Sequence, residues 1–363
     1  MNRRVAVGLS GGVDSAVAAA LLVSAGYDVT GVFLECWKEP GCRTDEDRKD
    51  ALSVALKLGI PFKVLDFKKE YKQKVVDYFY SEYQEGRTPN PDVMCNKEIK
   101  FGLFYDWCLQ NDFDYVATGH YARVRSQIKN LKFKIKNYEL LRGIDDKKDQ
   151  SYFLYRLRPE QLPHILFPLG DWTKEEVRAE AKKRGLLVAE KPDSQGICFI
   201  GEVDMRQFLR ERLPIKKGEV VDTKGQVIGE HDGVWFYTIG QRHGFKISNK
   251  LQVTSNKYDI PPMYVISKDV QKNKLVVGFG VETYRSQFEV RDLNWLISNV
   301  KFLISNKNLR IRIRHGGELI PAKLKIVNCK LEIGLEEPQR GIAPGQSAVF
   351  YNGDIVWGGG IID

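Results

Sequence analysis

Val5-Ala6-Val7-Gly8-Leu9 runs straight into Ser10-Gly11-Gly12-Val13-Asp14-Ser15, and Ala16-Val17-Ala18-Ala19-Ala20-Leu21-Leu22 follows. The first run reads as a short buried strand, the glycine pair as a turn and the alanine-rich run as a helix. A strand–glycine-loop–helix unit points backbone N–H groups and a helix N-terminus at one spot, which favours an anion. Paired glycines let the backbone approach an oxygen-rich ligand closely. Ser10 and Ser15 add hydroxyl donors, and Asp14 either holds a metal ion or caps the helix. The expectation is a phosphate site. An ordinary glycine turn with a capping serine is the alternative.

What is missing narrows the phosphate. A Walker loop needs a lysine after its last glycine, and none stands here. The spacing of Gly8, Gly11 and Gly12 does not fit the dinucleotide fingerprint either. SGGVDS resembles the pyrophosphate loop of the ATP pyrophosphatases. That resemblance implies ATP cleavage between its α- and β-phosphates, with AMP passed to a carbonyl-type oxygen.

The chain has 363 residues, enough for two or three domains with their own cores. No run of eighteen apolar residues suggests a membrane span. The first strand starts within a few residues of Met1, which leaves no room for an export or transit signal. Six cysteines without a regular framework then read as reduced thiols, and a cytoplasmic setting is expected. The formal charge of +9 favours a polyanionic partner.

Up to about residue 200 strands and helices alternate. After the opening unit come strand 28–34, a helix from Thr44 through Leu58 closed by Gly59, strand 62–65, a long helix from Lys68 to about Glu85, a Pro/Asn loop, helix 96–110 and strand 115–120. That alternation predicts a parallel sheet covered on both faces, with ligands beyond the carboxyl ends of its strands, where Ser10, Leu34 and Gly119 fall. From about residue 214 glycine turns separate short β-prone runs such as Val234-Trp235-Phe236-Tyr237. Leu309-Arg310-Ile311-Arg312-Ile313-Arg314 alternates with period two, placing its arginines on one face, either a solvated sheet surface or an RNA contact. Lys129 to Lys136 reads as a basic hairpin. The expected architecture is α/β: a doubly wound parallel-sheet ATPase domain over 1–205, a small β-rich domain over 206–277 and a C-terminal β-barrel over 278–363.

Two cysteines have informative neighbours. Cys95 lies in Thr88-Pro89-Asn90-Pro91-Asp92-Val93-Met94-Cys95-Asn96-Lys97, where Asn96 or a nearby residue opens a helix. Helix dipole and Lys97 should then favour its thiolate. Cys198, in Asp193-Ser194-Gln195-Gly196-Ile197-Cys198-Phe199-Ile200-Gly201, has apolar immediate neighbours and reads locally as a buried, inert thiol. Cys36, Cys42, Cys108 and Cys329 read as structural or incidental, and no Cys-x-x-Cys pair or His cluster suggests a metal site.

Taken together, GLSGGVDS, NPDVMCNKEIKFG, ATGHYARV, KDQSYFL, SQGICFIG, YTIGQRHG and APGQSAVF closely resemble the bacterial tRNA-specific 2-thiouridylases, in unbroken order from residue 4 to 363. The resemblance implies that Gly8, Leu9, Ser10, Gly11, Gly12, Val13, Asp14 and Ser15, with Leu34 and Gly119, hold ATP. It implies that Asn90, Pro91 and Asp92 meet the target uridine, and that Lys148, Asp149, Gln150, Arg314 and His315 contact tRNA. Cys95 would be the nucleophile and Cys198 the persulfide carrier, the pair forming a disulfide that a reductant reopens. The substrate implied is the wobble uridine, converted to 2-thiouridine.

This chemistry suits the parts. A uracil C2 oxygen is a poor leaving group until adenylation makes it part of an AMP ester. Backbone donors and Mg²⁺ would stabilise the departing pyrophosphate. Sulfur then attacks C2, either as the Cys198 persulfide or as hydrosulfide released from it. Asp92 is a candidate proton donor or acceptor, or a loop cap. A persulfide donor, a cysteine desulfurase or a relay carrier, is the implied protein partner, and a monomer is expected. The competing readings are a pyrophosphate-loop ligase that transfers nitrogen and a noncatalytic RNA-binding protein on a nucleotide fold.

Overall fold

The computed structural model describes residues 3–39, 42–130, 135–193, 196–201, 204–248, 261–297, 308–327 and 330–363. Strands β1 (Arg4–Gly8), β2 (Asp28–Glu35), β3 (Phe62–Asp66), β4 (Tyr115–Ala117) and β7 (Ile165–Leu166) form one parallel sheet in the order β3-β2-β1-β4-β7. Between β1 and β4 the chain changes winding direction, which opens a crevice beyond the carboxyl ends of the two strands. The loop after β1 and the loop after β4 both end there.

The period of two sorts the sheet's two faces. Val5, Val7 and Phe33 pack with α1 (Val13–Ser24), α2 (Thr44–Leu58) and α5 (Lys174–Lys183). Ala6, Val32 and Leu34 face the other way, onto Tyr71, Phe79, Ile99 and Phe104 of α3 (residues 68–84) and α4 (residues 91–110). This is the doubly wound layer read from the alternation. Gly59 ends α2 in the left-handed region at φ 65°, as its position suggested.

Two helices are not regular. Lys72–Val76 in α3 and Asn96–Leu103 in α4 are wound as π-helix. The second helix also starts earlier than the expected residue 96. Asn90 is its N-cap, its side chain accepting from the N–H groups of Asp92 at 3.1 Å and Val93 at 3.2 Å, and Pro91 occupies the first turn.

The central sheet has the order β10 (Lys246–Ile247), β9 (Val227–His231), β8 (Gly218–Val221), β12 (Lys274–Gly278), β11 (Tyr264–Asp269). A short helix α6, Met205–Arg210, leads into it. Val234–Phe236, expected as β-prone, is a 3₁₀ turn. The N–H of Gly233 donates to His231 Nδ1 at 3.0 Å and that of Val234 to Asn273 Oδ1 at 3.3 Å, so side chains take the ladder's place.

In the last domain β13 (Tyr284–Trp295), β16 (Lys330–Arg340), β15 (Ile320–Val327), β14 (Leu309–Arg312), β17 (Ser347–Asn352) and β18 (Ile355–Ile362) follow one another, and β13 pairs with β18 to close a six-stranded barrel. The hairpin β5 (Ala122–Asn130) and β6 (Ile135–Arg142) leaves the first domain and pairs with β18. The expected basic hairpin Lys129 to Lys136 overlaps its tip, which partly lies outside the described residues, as does Cys329. The arginine row of β14 is not uniform. Arg310 and Arg314 are exposed, but Arg312 is buried and paired with Asp149 at 2.7 Å.

Candidate active site

Backbone geometry makes the loop after β1. Gly11 has φ 75°, and a Cβ there would stand 2.3 Å from the carbonyl oxygen of Asp47. Only glycine fits. Gly12 is the N-cap of α1 and no side chain caps the helix, so its first N–H groups face the crevice. Ser15 Oγ accepts from the N–H of Ser10 at 3.1 Å and donates to the carbonyl of Gly12 at 3.1 Å, tying the loop to the helix. Gly119, just beyond β4, packs so close that a Cβ would lie 2.6 Å from the nitrogen of Ser15. Gly8 and Leu9 lead into this turn and Val13 opens the helix, while the Leu34 side chain is buried in the core on the α3–α4 face of the sheet.

A ring of cations surrounds the loop, none of them singled out from sequence apart from Lys148. Lys191 Nζ donates to the carbonyl of Gly11 at 3.0 Å and to Asp47 at 2.7 Å. Lys174 bridges Asp14 at 2.7 Å and Asp193 at 2.8 Å. Arg178, at 2.7 Å, and Lys148, at 2.5 Å, complete the set on Asp193. Against the upward push of partial burial, the hydrogen bonds and charges of Lys148 and Lys174 hold the Asp193 carboxyl down at about 2. The cations come from separate segments, so no single stretch of sequence announces them. Asp14 accepts from both Lys174 and Tyr121. Among the described residues no group of three or more His, Cys, Asp or Glu stands together as a metal cage.

On the other face of the sheet Cys95 and Cys198 meet, sulfur to sulfur at 3.5 Å. They stand in hydrogen-bond contact, short of the ~2.05 Å of a disulfide. Cys95 is wholly buried near the start of α4, on a face shared with Tyr71 and Ile99. Cys198 is half-buried at the tip of a tight turn in which Ile197 and Gly201 exchange backbone hydrogen bonds at 2.9 and 2.8 Å. Gly196, Phe199 and Gly201 have φ of 89°, 67° and 90°. The residue after the thiol is thus held in a sparsely populated conformation. Side chains grip both backbone groups of Cys198. Its N–H donates to Asp92 Oδ1 at 3.0 Å, and its carbonyl accepts from the Tyr71 hydroxyl at 2.5 Å.

The electrostatics reverse the local reading of the two thiols. Burial, then the hydrogen bond and charge of Cys198, push the Cys95 thiol well up. Lys97, expected to favour its thiolate, instead pairs with Glu98 at 2.9 Å. Cys95 also ends the first helical turns rather than opening them, so the dipole does not favour its anion. Cys198 is the lowered thiol: the hydrogen bond from Cys95, with the Lys100 ammonium, outweighs the cost of burial. Burial pushes the Asp92 carboxyl up, opposed by the Cys198 N–H and Lys100. Cys36, read as structural or incidental, is buried in the same core and its thiol is pushed up by burial and by Cys198.

Asn90 and Pro91 shape the loop leading to these thiols. Pro344 and Gln346 of the barrel clasp it: Gln346 Nε2 donates to the carbonyl of Thr88 at 2.7 Å, and the N–H of Thr88 donates to the carbonyl of Pro344 at 2.7 Å. His120 follows Gly119, buried, with Nδ1 at 2.7 Å from Thr118 Oγ1 and its ring 6.0 Å from that of Phe101. It links the phosphate loop to α4 and was not singled out from sequence.

The residues expected to contact RNA divide. Asp149 is fully engaged inside, with Arg312 at 2.7 Å and Arg142 at 3.3 Å. Gln150 Oε1 accepts from the N–H of Tyr121 at 3.1 Å, bracing the strand end. His315 lies over the Phe153 ring at 4.3 Å. Arg314 lines a cavity of about 370 Å³ between the central sheet and the barrel, with Arg340, Tyr264, Thr238 and Gln346.

Three family models match the chain: "tRNA methyl transferase HUP domain" over residues 3–202, "tRNA methyl transferase PRC-barrel domain" over 206–279 and "Aminomethyltransferase beta-barrel domain" over 285–362. A protein of Listeria monocytogenes named tRNA-specific 2-thiouridylase MnmA is 45% identical over 99% of this chain and 94% of its own. One of the same name from Enterococcus faecalis is 43% identical over 99% of this chain and 95% of its own. Among solved structures, the U34-tRNA thiolase NcsA of Methanococcus maripaludis is 18% identical with a TM-score of 0.35, covering 58% of this chain and 64% of its own.

Proposed function

The chain belongs to the tRNA-specific 2-thiouridylase family, and on that premise we propose that it replaces the C2 oxygen of the wobble uridine of tRNA with sulfur, at the cost of ATP cleaved to AMP and pyrophosphate. The observation that carries the reading is the thiol pair, 3.5 Å apart, on the same domain as a lysine-ringed phosphate loop. A nitrogen-transferring ligase needs the loop but gives no reason for the pair.

The loop N–H groups, the uncapped start of α1 and Lys174, Lys191 and Lys148 bind and orient the triphosphate. Mg²⁺ carried by the nucleotide would find its carboxylate in Asp14, the acidic residue of the loop, and would neutralise charge on the departing pyrophosphate. The uridine C2 oxygen attacks the α-phosphorus and pyrophosphate leaves. Extruding the base costs a few kcal/mol, less in a single-stranded loop than in a duplex, and a net basic surface offsets it.

Cys198, loaded beforehand as a persulfide by a donor protein, attacks C2 through its terminal sulfur, and AMP departs. Cys95 then attacks Cys198 Sγ. The sulfur–sulfur bond breaks, 2-thiouridine is released, and a Cys95–Cys198 disulfide stays behind, to be reopened by a two-electron reductant. Asp92, one turn before Cys95 on α4, takes up the Cys95 proton; its raised carboxyl suits that task.

The test is mass spectrometry of nucleosides from unmodified tRNA incubated with the protein, ATP and a persulfide donor. Expected are 2-thiouridine at the wobble position with AMP and pyrophosphate in equal amount, and none from Cys198→Ser. AMP release without 2-thiouridine, or an active Cys198→Ser protein, would overturn the reading.

A further inference from the structure

Lys100 is a half-buried lysine at the heart of the site, and the reaction outlined above does not call on it. It stands five residues after Cys95. On an α-helix that spacing would turn it away from the thiol, but Asn96–Leu103 is π-helix, whose i→i+5 bonding brings residue i+5 back over residue i. Gly102 shows how tight the widened turn is: a Cβ there would stand 2.9 Å from the carbonyl oxygen of Lys97, five residues earlier. The turn carries the Lys100 side chain over the turn that holds Cys198, its Nζ 5.8 Å from the centre of the neighbouring Phe199 ring, near enough for its charge and that of the Cys198 sulfur to act on each other.

The groups facing Cys198 are Cys95, Asp92 and Lys100 from α4, Tyr71 from α3, and Cys36 at the end of β2. Lys100 is the cation among them. It makes no ion pair among the described residues, so its charge is available to sulfur.

We propose that Lys100 is the sulfur-anion-binding residue of the transfer: swung over Cys198 by the π-turn, its ammonium holds that sulfur as an anion while Cys95 waits in protonated form. The inference rests on the sulfur-transfer reading and gives it an order of events. The Cys198 thiolate takes a sulfur from a donor persulfide, R–S–SH, leaving Cys198–S–SH and R–S⁻. The resulting persulfide, once ionised, meets the same ammonium. After its terminal sulfur has bonded to C2, Cys198 carries no charge. The hydrogen bond and negative charge that kept Cys95 protonated are then gone, and Lys100 faces Cys95 alone. One ammonium thus serves the two sulfurs in turn.

The test is alkylation by iodoacetamide over pH 5–10, read at Cys198 by peptide mass spectrometry, with Cys42 as an internal control. In Lys100→Met the Cys198 midpoint should rise by one unit or more, which is about a tenfold slower reaction at pH 7, and Lys100→Arg should restore most of it. The Cys42 profile should not move. If Lys100→Met does not fold, Lys100→Gln gives the same comparison. An unchanged midpoint in the neutral variant, or equal shifts in the neutral and Arg variants, would overturn the inference. The two ideas fail separately. Wild-type protein that makes no 2-thiouridine but keeps a Lys100-dependent midpoint sinks the function and spares the ammonium.

Discussion

At the scale of single residues the two thiols are unequal, and their inequality assigns their order. Cys95→Ser should still let Cys198 take up sulfur but should stop turnover, because nothing then attacks Cys198 Sγ. The check is a sulfur adduct that persists on the Cys198 peptide while 2-thiouridine stays below one per protein. Asp193 gives a prediction in pH. Its carboxyl sits at about 2 against an ordinary 3.8, so the folded state favours the charged form. A depressed carboxyl stabilises fully above its unfolded value, and the gain is lost as pH falls through the window from about 4 to 2. The amount is on the order of 2 kcal/mol. Asp193→Asn should therefore lose stability near neutrality and show a flatter acid limb, measured by urea unfolding from pH 2 to 7. The motifs exposed both cysteines to a reader, but the local reading ranked them in reverse. A window of ten residues shows Lys97 beside Cys95. It cannot show Lys100 turned back by a π-turn, or a turn 103 residues on delivering Cys198.

At the scale of elements, strand and helix order in the first layer follows from its apolar runs, because the central strands β1 and β2 and helix α1 are buried by their neighbours, while β3 at the sheet edge is largely exposed. Winding type does not. The π-turns of α3 and α4 leave the apolar pattern intact while changing which polar side chains face inward, so sequence periodicity is silent about them. Gly102→Ala tests the second one. In an ordinary exposed α-helix the change would stabilise by about 1 kcal/mol. Here the added methyl meets the Lys97 carbonyl at 2.9 Å, and backbone must move. Overpacking of that kind costs about 1–3 kcal/mol, so a net loss of stability is expected, together with slower thiolation. A more stable protein in urea would show that the π-turn relaxes without cost and that Lys100 can reach Cys198 from a regular helix.

For the whole molecule, the three family matches divide the chain neatly, but the contacts do not respect the divisions. The hairpin β5–β6 pairs with β18 of the barrel, and Pro344 and Gln346 fasten the loop that carries Asn90 and Pro91. Such long-range pairings leave no trace in local pattern, which is why the arginine row of β14 read as one surface. Asp149 is the knot. Its carboxylate takes Arg312 from the barrel at 2.7 Å, Arg142 from the hairpin at 3.3 Å, and the N–H groups of Gly143 at 3.2 Å and Ser151 at 3.1 Å. Removing one partner of a buried ion pair costs about 3–5 kcal/mol, because the other charge stays buried without compensation. Asp149→Ala strands the buried Arg312 guanidinium, while Arg142 keeps Asp146 and Asp354, and should cost about that much, seen as a lower urea midpoint. Arg314, exposed two residues beyond Arg312, should behave oppositely. Arg314→Ala should leave the unfolding free energy in urea within about 0.5 kcal/mol, while weakening tRNA binding and shallowing its salt dependence by about one counterion. If Asp149→Ala instead kept full stability and lost only RNA affinity, the carboxylate would belong to the RNA surface, and the barrel would be joined to the catalytic domain by the hairpin and the Thr88 clasp alone.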